Sequence, residues 1–269
     1  LPELCILVVG NTDRAEFREA REVLDRWGRV VAAADVGAAA AMLVQGDTPA
    51  DLIVVAQAFP GEFPAERVDS LRRLAPLARV VVLLGSWCEG ETRTGRAWPG
   101  AIRVYWHQWL ARAEQELSRL HDGRCSAWSL PFTASDEEQI LVSADEPIAQ
   151  RRGLVAIYSA RLEMQEWLAA ACRRAGLATA WLRPDRLDPP GPAQMVLFDA
   201  TDGRGEELEH LRRLNAWVPR PAIVALVDFP RVEDRDRLLA AGADAVLSKP
   251  LLVEDLFWQL DQFAGGLAR

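Results

Sequence analysis

The stretch GADAVLSKP, residues 242–250, holds one full turn of the pattern that decides the fold. Gly242 closes a helix that begins after Pro230, a residue whose missing N–H costs nothing at a helix start. Ala245-Val-Leu247 then reads as a short buried strand, and Val253 to Phe263 as the next helix, with Val253, Leu256, Phe257 and Leu260 forming its apolar stripe. Working outward toward the N-terminus, the same alternation continues. Ala222–Val227 is a strand. Glu206 to Leu214 is a helix carrying Leu208, Leu211 and Leu214 on one side. Met195–Phe198, Ala178–Leu182 and Leu154–Tyr158 are strands, and Leu162 to Ala175 is a helix closed by Gly176.

The first half repeats the pattern. Leu4-Cys-Ile-Leu-Val-Val9 is continuously apolar, the mark of a strand buried on both faces. Asn11, Thr12 and Asp13 offer N-cap oxygens to a helix that carries Phe17, Ala20, Leu24 and Trp27 and ends at Gly28. Val30–Ala34, Asp51–Val55, Arg79–Leu84 and Ile102–Trp106 read as strands. Gly37 to Gln45, a segment bearing Val68, Leu71 and Leu74, and Trp109 to Leu120 read as helices. Strands alternating with helices predict parallel sheets covered on both faces, because right-handed crossovers put the helices there.

At 269 residues the chain has room for two such domains. We expect a first domain over 1–121, a linker over 122–152 and a second domain over 153–269. The linker contains Pro131, Pro147 and one short helix opened by a Ser135/Glu138 capping box. A net charge of −8 argues against nonspecific nucleic-acid binding. No apolar run is long enough to span a bilayer, and no basic region precedes the first apolar run as in a secretory leader. The four cysteines, Cys5, Cys88, Cys125 and Cys172, form no CxxC pair, which fits reduced thiols in the cytoplasm. With three histidines, His107, His121 and His210, no protein-only transition-metal site is expected.

Three features resemble the receiver domains of response regulators. GADAVLSKP resembles that family's glycine-alanine-aspartate, hydrophobic, lysine-proline signature. Asp199, directly after a buried strand, stands where the family carries its phosphoacceptor. Phe59-Pro60-Gly61 is similar to the turn after the family's third strand. The resemblance covers about 1–120 and 153–265, more specifically in the second copy. It implies two flavodoxin-like, doubly wound α/β domains, each with a five-stranded parallel sheet of order 2-1-3-4-5 and a functional face beyond the strand C-termini.

The resemblance also implies a chemistry: an acidic pair that helps hold Mg²⁺, a phosphoacceptor aspartate, a hydroxyl that contacts the phosphoryl group and a lysine that neutralises it. The second copy keeps Asp199 and Lys249. Its acidic-pair positions fall on Tyr158 and Ser159, and its hydroxyl position on Val227 beside Asp228. In the first copy the acidic pair falls on Gly10 and Asn11, the acceptor on Ala56 and the lysine on His107, followed by Gln108. Four prolines between Arg183 and Pro192 exclude the second helix of the second copy. The sequence therefore reads as two degenerate receivers. Asp199 and Lys249 are either a live phosphorylation site or a remnant ion pair, and Mg²⁺ is expected only in the former case.

Residues 85–100, GSWCEGETRTGRAWPG, fall where a receiver has its fourth helix, and their glycines make a regular helix poor there. Trp87, Glu89, Glu91, Arg93, Arg96 and Trp98, with His107 nearby, form a candidate partner-binding loop, since Trp and Arg dominate binding hot spots. The alternative is that the tryptophans fill the space of the missing helix. Trp258 lies outside the apolar stripe of its helix and marks a candidate dimer or domain contact. The expected function is a non-catalytic cytoplasmic signalling or scaffold protein acting on a protein partner, a homodimer included, without nucleic acid, membrane or cofactor. Two alternatives are a phosphoryl-responsive regulator using Asp199 and a small-ligand sensor at the strand ends of the first domain, beside Asn11, Gln57 and His107. No nucleophile–base–orienter set emerges, so no enzyme is expected.

Overall fold

The computed structural model describes residues 4–46, 49–90, 98, 101–130, 134–135, 137–138, 141–142 and 148–263. The chain divides into two compact units, Leu1–Glu146 and Pro147–Arg269. No helix among the described residues is long and apolar enough to cross a membrane.

The first unit runs β1 (Leu4–Val9), α1 (Arg18–Trp27), β2 (Gly28–Ala33), α2 (Val36–Gln45), β3 (Leu52–Gln57), α3 (Ala65–Leu74), β4 (Arg79–Leu84), β5 (Ile102–Tyr105) and α4 (Trp106–His121). Its strands pair in parallel in the order β2-β1-β3-β4-β5. β1 and β3 are buried on both faces because helices cover both. Leu7, Val9, Ile53 and Val55 pack with Val36, Ala39, Val68 and Leu71 of α2 and α3 on one face. α1 and α4 pack together, and the Trp27 indole donates to Glu114 at 2.9 Å.

Two local departures from the sequence reading have physical causes. α1 begins at Arg18 with no side-chain cap, because the Asn11 carboxamide oxygen instead accepts from Asp13 N in a turn. Gly28 ends α1 without left-handed geometry. Its backbone is extended and runs straight into β2, where a Cβ would lie 2.3 Å from the Leu4 carbonyl oxygen. Close approach of β1 and β2, rather than a positive φ, requires the glycine.

The second unit runs β6 (Leu154–Tyr158), α5 (Leu162–Arg174), β7 (Ala178–Leu182), β8 (Met195–Asp199), α6 (Gly205–Asn215), β9 (Ala222–Asp228), α7 (Val232–Ala240), β10 (Ala245–Lys249) and α8 (Val253–Gln262). Its parallel sheet has the order β7-β6-β8-β9-β10, the same winding as the first. Both units are thus flavodoxin-like, doubly wound domains. One face buries Val155, Ile157, Leu197 and Leu226 under α5 and α8, and the other buries Tyr158 and Phe198 with Leu211 and Leu214 of α6. The proline-rich stretch between β7 and β8 has no helix, and Leu187 and Ala193 fill that side of the core instead.

The stretch after α4 begins as part of the first unit. Trp128 is buried and tilted against Trp109, with ring centroids 5.5 Å apart. The buried Glu116 carboxylate accepts from Ser126 Oγ at 2.6 Å and pairs with Arg119, and Arg79 donates to the Ser129 carbonyl at 2.7 Å. Further on, Ser135 and Glu138 exchange the two bonds of a capping box, 2.8 and 3.3 Å. Much of the helix expected after that box lies outside the described residues.

Candidate functional site

In the second unit, chain pairing puts Asp199 at the C-terminal end of the central strand β8 and Lys249 at the end of edge strand β10, with β9 between them. Both side chains are buried. Lys249 Nζ donates to Asp199 Oδ1 and to the Ala200 carbonyl, each at 2.6 Å, and lies 3.1 Å from Asp228 Oδ1. Its three protons are therefore all directed at oxygens of its own chain.

Arg161, which enters from the loop between β6 and α5, was not singled out in the sequence. Its Nη2 donates to Asp199 Oδ1 at 2.6 Å and its Nε to Oδ2 at 3.3 Å, while Nη1 lies 3.8 Å from Asp228 Oδ2. Ser159 Oγ donates to Asp199 Oδ2 at 2.7 Å. Each Asp199 oxygen thus accepts two hydrogen bonds, and a lysine, an arginine and two aspartates form a neutral cluster. The bond to Asp199, with further attraction from Asp228 and Glu207, raises the Arg161 pKa above its ordinary value against the effect of burial. Arg161 is charged at every accessible pH.

The residues present do not fit Mg²⁺. The acidic-pair positions hold a tyrosine and a serine, and among the described residues no three His, Cys, Asp or Glu side chains gather to hold a metal. A dication about 4 Å from a guanidinium would meet roughly 8 kcal/mol of repulsion at an effective dielectric of about 20. Screening by water, which reaches the 43% exposed Arg161 side chain, reduces that figure without changing its sign.

Tyr158 packs away from the acidic cluster. Its ring stacks on Phe198 at 4.4 Å and its hydroxyl meets His210 Nδ1 at 2.8 Å. Burial, then the charges of Glu207, Asp199 and Glu206, push its pKa up to about 12.

Strand register corrects the equivalence between the two copies by one residue. Tyr158 is opposite Phe198, the residue before Asp199, and Val9 is opposite Val55, the residue before Ala56. Val9 and Gly10, rather than Gly10 and Asn11, therefore stand where Tyr158 and Ser159 do. At the other edge, Leu226 is opposite Leu247 and Leu83 opposite Val104. Lys249 follows Leu247 by two residues, so its counterpart is Trp106 and not His107. Gly10 has φ +103°, and a Cβ there would lie 2.7 Å from the Ala56 carbonyl oxygen. No carboxylate fits at that position, and Ala56 offers no acceptor.

Both units also fill a second element of the strand-end face with their own carboxylates. After Ala56, Glu62 Oε2 accepts from Ala58 N at 2.6 Å and Phe59 N at 3.4 Å. After Asp199, Glu207 accepts from Thr201 N at 2.9 Å, Asp202 N at 3.3 Å and Gly203 N at 3.0 Å. Backbone N–H groups converging in this way form an anion-binding nest. In the first unit a further acid, the buried Glu16, reaches from the β1–α1 loop to Ser86 at the end of β4, accepting from its hydroxyl at 2.7 Å.

The candidate loop separates into buried and exposed parts. Trp87 is 61% exposed, whereas Cys88 is buried with its sulfur 3.7 Å from Gln57 Nε2. Trp98 packs against Val82, Leu84 and Cys88. His107 is buried at the start of α4, stacked on Tyr105, with Nε2 3.2 Å from Glu89 Oε1. Glu91, Arg93 and Arg96 lie outside the described residues. A crevice lined by Gln57, Val82, Leu84, Trp98, Ala101 and Arg103 has a volume of about 10 Å³, room for a water and not for a metabolite. Trp258 is half-buried on α8.

No family profile matches the sequence, and no curated protein does. Among solved structures, the chain is similar to a CheY-like response regulator from Mesorhizobium loti, at 22% identity over 42% of this chain and 98% of that one, with a TM-score of 0.35. It is similar to the signal receiver domain of a putative LuxO repressor protein from Vibrio parahaemolyticus, at 13% identity over 42% and 91% of the two chains, with a TM-score of 0.38. Over 97% of its length it is similar to a putative two-component system response regulator/GGDEF domain protein, at 15% identity over 98% of that chain, with a TM-score of 0.38.

Proposed function

We propose that the protein is a non-catalytic, cytoplasmic signalling or scaffold component, built of two pseudo-receiver units and acting through protein contacts. One observation carries this reading. The only acceptor-position aspartate, Asp199, has both oxygens occupied by Lys249, Arg161 and Ser159 of its own chain. A carboxylate in this state has no lone pair aimed outward for attack on phosphorus. The self-filled nests at Glu62 and Glu207 support the same reading, since they cover N–H groups an incoming anion would need. The exposed Trp87 supports a contact role for the loop after β4.

The convergence of Asp199, Lys249 and Asp228 favours a second reading, a phosphoryl-responsive switch. Intact-mass measurement after incubation with a small phosphodonor and excess Mg²⁺, with Asp199→Asn alongside, separates the two. We expect no mass gain in either protein. Gain of a phosphoryl group by the wild type alone would establish the switch and overturn the pseudo-receiver reading.

A further inference from the structure

We propose that the exposed face of α5 is a self-association surface, whose occupant is the α5 helix of a second copy of this chain. The proposal rests on the reading of the protein as one that acts through protein contacts, and it names the partner. Glu163, Trp167, Ala170 and Arg174 recur at the spacing that lines one face of a helix. All four are exposed, Trp167 at 41%, and Leu162 beside Glu163 is exposed as well. Glu166 and Arg173 flank the stripe and are also exposed. Among the described residues, the side chains of Glu163, Glu166, Arg173 and Arg174 make no ion pair and no hydrogen bond.

The helix dipole accounts for an acid in the first turn and bases in the last. It does not account for an indole left in water between them. α6 has the same charge pattern, but its exposed residues are polar apart from glycine. Arg212 pairs with Glu209 within that helix, and Glu207 is taken up by the backbone of Thr201 and Gly203. On α5 the charges have no such partners, and the stripe acid-Trp-Ala-base is complementary to its own reverse. A two-fold axis crossing α5 between Leu168 and Ala169 runs two copies antiparallel. It sets each Trp167 over the second copy's Ala170 and each Glu163 against the second copy's Arg174. The small alanine leaves room for the indole, and tryptophan is among the residues that dominate such contacts. One helix pair buries less than about 1,200 Å², the size of a transient interface, so the dimer is weak, with a Kd on the order of 10 µM.

The test is sedimentation velocity of the full chain from about 1 to about 100 µM, with circular dichroism to check that each variant folds. The wild type should pass from monomer to dimer across that range. Glu163→Arg and Arg174→Glu each set like charges against one another across the axis, and each should weaken the dimer roughly tenfold or more. Mixing the two variants in equal amounts restores both opposite-charge pairs and should bring the dimer back, which a role for these charges within one chain would not do. Trp167→Ala, which alters no charge, should also weaken the dimer and carries the test if a charge reversal does not fold. A wild type that stays monomeric throughout, a dimer that survives the folded variants, or a mixture of folded reversals that stays monomeric would overturn the proposal. Each of these results would leave the pseudo-receiver reading intact, because that reading falls only to phosphoryl gain at Asp199.

Discussion

At the scale of single residues, the Asp199 cluster is a buried charge network whose members are worth little apart. Removing one partner of such a pair leaves an uncompensated charge, which is costlier than replacing the pair. Lys249→Met should therefore lower the stability of the second unit by about 3 kcal/mol, the lower end of the usual range, because Arg161 and Ser159 still hold Asp199. Adding Asp199→Asn should recover part of that loss. Urea midpoints of the two variants check both statements. Tyr158 gives an independent probe. The fold favours its neutral phenol, so its contribution is complete below about pH 10, the unfolded value, and is lost as pH rises through about 12. The chain has two tyrosines, so absorbance at tyrosinate wavelengths should show one of them ionising near 12, and Tyr158→Phe should remove that step. Ionisation of both tyrosines near 10 would contradict the packing of Tyr158 against Phe198.

At the scale of elements, the sequence was legible wherever a local pattern repeats. The buried strands β1, β4 and β6 begin and end close to where their apolar runs do, and the loss of the second unit's second helix followed from four prolines. Asp199 and Lys249 were legible through the resemblance, which puts them at its phosphoacceptor and lysine positions. Arg161 was not. It sits three residues past the end of β6, next to no motif, and acquires its role only because the sheet order brings β6 beside β8 and a long side chain spans the gap. Glu207 was equally silent, because an acid early in a helix already has a reason to be there in the helix dipole, and so was Glu62, which lies in the turn ahead of α3 where an exposed polar residue is ordinary. The loop after β4 shows both limits at once. Its tryptophans were indistinguishable in sequence, yet Trp87 is exposed while Trp98 packs on Val82 and Leu84. Trp98→Ala should cost the first unit about 2 kcal/mol, measured by thermal or urea unfolding, whereas Trp87→Ala should leave stability unchanged and weaken partner binding. A destabilised Trp87→Ala would return the loop to a packing role.

At the scale of the whole molecule, a fold built twice need not end twice in the same way. Each unit has its own core: Leu7, Val9, Ile53 and Val55 under α2 and α3 in the first, and Val155, Ile157, Leu197 and Leu226 under α5 and α8 in the second. Units of this size bury enough surface to stand alone. We therefore expect fragments 1–146 and 147–269 each to unfold in a single cooperative transition. The first unit, however, does not finish with α4. Trp128 seals Trp109, and Glu116, which would otherwise be a buried carboxylate facing only Arg119, is satisfied by Ser126. A fragment ending at residue 121 removes the indole and uncovers that acid together. Loss of a buried tryptophan alone costs about 3–5 kcal/mol, a large part of the stability of a domain. Fragment 1–121 should thus unfold at a markedly lower urea concentration than fragment 1–146, and Trp128→Ala in the longer fragment should reproduce most of the difference. Equal midpoints for the two fragments would mean that the segment after α4 merely rests on the first unit, and that the core closes without it.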